Sequence, residues 1–219
     1  MKYISNIKVN RIIKYLIISD LIFWSGWGLI SPIFAVFIVE KIQGGTVAVV
    51  GMATAIYWIL RSLLRVPIGV FLDGRQGEED NFWFLFFGLI LTSLVPFGYL
   101  MASLSWHIYL LQTVYAIGMA MALSGWTIIF TCHIDKGKEA TEWGLDGASV
   151  GLGIGIAGAI GGLMVARFGF NLVFTLVGIL GILSALLLLP LLKEIPSSPR
   201  SAKKGEIFSI KESLQKEQR

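Results

Sequence analysis

The sequence predicts an all-α polytopic membrane protein: six transmembrane helices arranged as a 3+3 inverted repeat. Three observations carry that fold class. First, hydrophobic residues make up 55% of the 219 residues and charged residues only 15%, with a mean hydropathy of +0.76; a soluble domain carries about 25% charge. Second, segments near 15–38, 46–71, 82–102, 107–131, 146–166 and 171–192 are each mostly apolar over about 20 residues or more, long enough to cross a ~30 Å hydrocarbon core as helices. Such segments must satisfy their own backbone polar groups, and uninterrupted apolar runs do so as helices rather than as barrel strands. Third, Gly69-Val-Phe-Leu-Asp73-Gly-Arg75-Gln-Gly77 closes the second segment, and a similar run, Gly162-Leu-Met-Val-Ala166-Arg167-Phe-Gly169, closes the fifth. These runs hold the same place in each group of three helices but fall on opposite sides of the membrane, as inverted repeats require.

Residues 1–14 form a basic N-terminal segment: Lys2, Lys8, Arg11 and Lys14 precede the first span. That span is too long for a signal-peptide core and lacks a cleavage pattern, so a retained helix is expected. Arg75 lies in the second connection, Lys136 and Lys138 in the fourth, and more basic residues follow the last span, whereas the alternate connections carry only Lys41 and Arg167. The positive-inside rule then places both termini in the cytosol of a multi-pass cell-membrane protein. The net charge of +4 reads as topology and contact with anionic lipid, not as nucleic-acid binding.

Residues 15–192 form the bundle and 193–219 a cytosolic tail. In the tail, "EIPSSPRS" reads as an exit in which Pro ends the helix. Ile207, Ile210 and Leu214 then share one face of an interfacial amphipathic helix. Cys132 is the single cysteine, which excludes an internal disulfide and a cysteine-built metal centre. No phosphate loop, zinc ligand set or nucleophile constellation is present, so no cofactor and no enzymatic chemistry are expected.

At the turn after the second span the chain resembles the major facilitator superfamily. That family carries Gly, three residues, Asp, a basic residue, a spacer, Gly and further basic residues there. Gly69 and Asp73 match. Gly74 stands where the first basic residue belongs, Arg75 is displaced by one, and Glu78 and Glu79 replace the closing basic pair. The fifth span is similar to the family's glycine-rich pattern through Gly144, Gly153, Ala157-Gly158 and Gly161-Gly162, and "RFGFNLVF" to its turn between helices five and six. The resemblance spans roughly residues 15–192. It implies one half-bundle of a twelve-helix secondary transporter, which reaches two halves as a homodimer through the cavity face. Two other readings are the N-terminal half of a longer or two-gene transporter, and a non-transporting membrane scaffold. The substrate would be a small molecule of unknown identity.

Asp20 is the sharpest candidate residue, about 8 Å inside the cytosolic boundary at 1.5 Å per residue. An acidic residue at such depth costs a few kcal/mol and usually pairs or lines a wet cavity. An antiparallel hairpin about residues 42–43 would set it level with Arg65 and one turn from Arg61, predicting an ion pair. Trp24, Trp27 and Ser31 continue its face at i+4, i+7 and i+11. Gln112, Tyr115, Met119 and Trp126 recur at helical spacing on the fourth span, and Tyr57 precedes Arg61 by one turn. Because the family's first and fourth helices line its cavity, the resemblance makes these residues a substrate or proton pathway. It also makes Gly69, Asp73 and Arg75 one side of a conformational latch that meets the fifth helix, expected to start near Gly144, of a second copy. Gly153, Gly158, Gly161 and Gly162 are expected to serve helix packing. Trp83, Tyr99 and Trp106 read as interfacial anchors. His107 and His133 read as interfacial. The Arg of the family's proton antiporters is missing from the fourth span, where Leu110, Val114, Ile117 and Gly118 occupy its frame.

Overall fold

The computed structural model describes residues 9–195 except residue 76. Among them are six α-helices: α1 (Arg11–Ile30), α2 (Phe34–Lys41), α3 (Val47–Asp73), α4 (Glu78–Met101), α5 (Ser105–His133) and α6 (Glu139–Leu187), followed by a 3-10 turn, Leu189–Lys193. Five elements are long and apolar enough to span a membrane, and no strand occurs among the described residues. The amphipathic tail helix and its Pro-containing exit lie outside the described residues.

Two expected boundaries move. The first span does not run unbroken to residue 38, because Pro32 sits at the break between α1 and α2, where it has no amide to donate and its ring obstructs a continuing helix. The expected fifth and sixth spans form one element, α6, divided at Gly169, whose φ of 77° is left-handed and suits a residue without Cβ.

The chain reverses at Gly169. Gly153 meets Leu21 and Ser25, Ala157 meets Gly28, and Gly161 meets Leu29, so the first arm of α6 runs parallel to α1. On the second arm, Val177 and Leu180 meet Gly26 and Ser184 meets Ser19, which is the antiparallel order. A helix of this length cannot cross a ~30 Å core once; folded at Gly169, its two arms clasp α1 between them.

Starts are set locally. The Asn10 side chain accepts from the Ile13 amide at 2.9 Å to cap α1, and Thr46 caps α3 through Val49 at 3.3 Å. His107 Nδ1 accepts from the Ser103 and Leu104 amides at 3.1 and 3.2 Å, giving α5 a cap no hydroxyl supplies. His107 is thus a capping residue rather than simply an interfacial one.

The core joins α1 to α6, α4 to both α5 and α6, and α3 to α5. α3 is the least covered element, with Met52, Ile59, Leu63, Val66 and Val70 all exposed. A polar tie joins α1 to α6 inside the core: the Ser19 and Ser184 hydroxyls lie 2.8 Å apart, and Ser184 Oγ donates to the Ser19 carbonyl at 2.9 Å. Hydrogen bonds between membrane helices average about 0.6 kcal/mol and reach about 1.7. Ser19→Ala and Ser184→Ala are each expected to cost about that much, with the double variant costing less than the sum. Strict additivity in a denaturation cycle would show that the two hydroxyls do not act together.

Candidate functional site

Three helices bring an aromatic wall together. Trp27 of α1, Tyr115 of α5 and Tyr57 of α3 stack in sequence, with ring centroids 4.1 Å and then 4.4 Å apart and planes within 15°. The helical spacing that put Trp24, Trp27 and Ser31 on one face explains the α1 contribution. The wall bounds a cavity of about 270 Å³, also lined by Trp24, Ser31 and Gln112. Six of the residues expected from the sequence therefore share one space. Ser31, Thr54 and Trp58 on its rim are exposed, so the cavity opens on an uncovered side of the bundle.

Tyr99 also lines the cavity, and this corrects its expected role. It is 1% exposed, not an interfacial anchor, because Phe34, Phe37 and Phe174 enclose its ring. Gln112 Nε2 donates to its hydroxyl at 3.3 Å, while Gln112 Oε1 is buried without a partner. Trp83 and Trp106 are exposed.

Asp20, Met119 and Trp126 do not reach the main cavity. With Trp24 they line a gap of about 10 Å³. The expected pairing of Asp20 with Arg61 or Arg65 is not found among the ion pairs of the described residues. Arg61 Nη1 instead donates to the Tyr57 hydroxyl at 2.9 Å and its guanidinium lies 4.1 Å over the Trp58 ring; Arg65 donates to Thr127 Oγ1 at 3.4 Å. Asp20 instead lines its small gap with Leu85 and Leu89 of α4 and Met119 and Trp126 of α5.

Asp146 of α6 lies within electrostatic range of Asp20. Asp146 is 8% exposed and its Oδ1 has no partner. Sequence reasoning missed it because it stood at the expected edge of the fifth span, whereas α6 begins at Glu139, seven residues and about 10 Å earlier.

The latch residues separate. Arg75 is engaged inside its own turn, 3.5 Å from Asp80 and stacked on Phe71; Asp73 is exposed beside it. Gly144 is not at a helix start. The true amino end of α6 is met by carboxylates of the chain itself, Glu139 accepting from the Gly137 amide at 3.0 Å and Glu142 from the Asp135 amide at 3.1 Å. In the same connection the Lys138 ammonium and the Asn10 amide hold the Asp135 carboxyl below the usual carboxylate range. Asn10 also donates to the His133 carbonyl, while His133 Nδ1 bonds the Ile129 carbonyl oxygen at 2.9 Å and Nε2 lies 3.4 Å from Glu78. His133 therefore joins α1, α4 and α5 at one end of the bundle.

Among the packing glycines, Gly153 and Gly161 meet α1 closely and Gly158 lies at ordinary contact from the Gly28 carbonyl. Gly162 corrects its expectation: like Gly69, Gly144, Gly147, Gly151 and Gly155, it faces open space, because its side of α6 turns away from α1.

In comparison with known families, residues 16–217 match the sequence pattern of the Major Facilitator Superfamily. Comparison with curated proteins finds no match.

Proposed function

The chain belongs to the major facilitator superfamily, and from that premise we propose that it is a secondary transporter carrying a small molecule by alternating access, as a homodimer of six-helix units. The observation that carries this reading is the aromatic cavity on α1, α3 and α5, open on the bundle's uncovered side. Alternating access needs two bundles rocking about a central site, and two-fold symmetry supplies the second from the same surface patch. The open glycines of α6, with Gly51 and Gly69 of α3, leave room for close helix approach there. The two Gly-rich turns support an inverted 3+3 arrangement, and the basic residues support cytosolic termini.

A latch between copies then works on helix faces, Gly69 against Gly144, with Asp73 beside them, rather than on the carboxylate-filled amino end of α6. Proteoliposome flux over a panel of small solutes, paired with mass in nanodiscs, tests the proposal. The expected result is flux from a particle of about twice 24.1 kDa. Flux from a monomer would overturn the dimer. A dimer silent towards the whole panel would favour a scaffold, and a silent monomer would favour half of a larger transporter.

A further inference from the structure

The cavity described above has a chemical signature of its own. None of its lining side chains carries a charge. One wall is the Trp27–Tyr115–Tyr57 stack; Tyr115 is covered on both faces, so another flat ring meets the stack on the outer face of Trp27 or edge-to-face along its side. Gln112 lines this space and carries an orphaned acceptor: the residue is 6% exposed, Nε2 is engaged with Tyr99, and Oε1 is buried with no partner, so a turn of the amide would bring it to a bound donor. A buried acceptor without a donor is costly, and a ligand N–H removes that cost. At about 270 Å³ the space falls just below the roughly 300–1,000 Å³ of drug-sized sites, so the ligand is small.

Charge narrows the class. Aromatic walls often bind organic cations, but no carboxylate lines the cavity. The Arg61 guanidinium already lies 5.2 Å from the Tyr57 ring centroid and 4.1 Å from that of Trp58. An anion would enter without a cation in contact, since Arg61 is not among the lining residues.

We infer that the cavity takes a neutral, planar heteroaromatic molecule bearing a ring N–H, with the ring against the Trp–Tyr stack and the N–H donating to Gln112 Oε1. Calling this molecule the substrate rests on the transporter reading; its binding does not.

The test is equilibrium binding by calorimetry to the purified chain in nanodiscs, with empty nanodiscs subtracted. The probes are indole, 1-methylindole, tryptamine and indole-3-acetate. Indole is expected to bind about tenfold more tightly than 1-methylindole, as one hydrogen bond to a buried acceptor provides, and more tightly than either charged analogue. Gln112→Leu should abolish the difference between the first two. The comparison on the unmodified chain keeps the test valid if that variant does not fold. Equal binding of indole and 1-methylindole, tighter binding of tryptamine or indole-3-acetate, or no binding by any probe would each overturn the inference. Discriminating indole binding without flux of any solute would retain the ligand class and defeat the transport reading. Flux of another solute class with no preference for indole would do the reverse.

Discussion

Gly161→Ala is expected to destabilise the folded bundle by about 1–3 kcal/mol, the usual range for overpacking a tight interior, while Gly162→Ala one residue on is expected to be neutral or stabilising. A Cβ on Gly161 would overlap the Leu29 carbonyl oxygen and lie 2.9 Å from both the Leu29 carbonyl carbon and its Cα. Those are backbone atoms, so no side-chain rotation relieves the clash. Nor can α1 move away freely: the second arm of α6 holds it from the other side through Ser184 on Ser19 and Val177 and Leu180 at Gly26. Gly162 has nothing within 4 Å of the added atom, leaving only the gain in helix propensity of up to about 1 kcal/mol. Denaturant titration of the two variants in mixed micelles measures the contrast. Equal stabilities would mean that the first arm of α6 does not seat on α1 as described.

The second large effect concerns the two acidic residues. Asp20→Asn and Asp146→Asn are each expected to lower flux about tenfold or more, a loss of at least about 1.4 kcal/mol in the transport barrier, with expression and particle mass unchanged. An acidic residue at membrane depth costs about 2.5–3.5 kcal/mol on insertion scales, and here Asp146 lies within electrostatic range of Asp20. Two carboxylates within electrostatic range repel when both carry charge, so removing either charge is expected to be felt by the other. If they act as a unit, the double variant should be little worse than either single one. Flux that is unaltered from pH 5.5 to 8 in both single variants would return Asp20 and Asp146 to a structural role.

Hydropathy made the helical class and the approximate spans legible because apolar length is a local property of the chain. The shared face of Trp24, Trp27 and Ser31 was legible for the same reason: it depends only on the helical period. Gln112 and Tyr115 joined them because their own spacing is also local. What the sequence withheld was rotation of one helix about its axis relative to another. Asp20 and Arg65 were expected at matching depth, yet α1 packs on α6 and α3 on α5, and no ion pair joins them among the described residues. Tyr99 was misread for a related reason: the end of a span was taken to be the end of the core, whereas α2 and the second arm of α6 cover that end with Phe37 and Phe174. Asp146 was hidden by a boundary, since the polar opening turns of α6 fall below any hydropathy threshold.

The clasp of α6 around α1 has a consequence for biosynthesis. Ser19 and Ser184 are 165 residues apart, and at about 5–20 residues per second a ribosome needs roughly 8–33 s to deliver the second after the first. Until then Ser19 lacks the hydroxyl it will bond, and Gly28 and Gly26 wait in turn for Ile154 and Val177. α4 and α5, neighbours in sequence, can pair as soon as both have emerged. The nascent chain therefore assembles from its middle outward, and the first helix to enter the membrane is among the last to find its place.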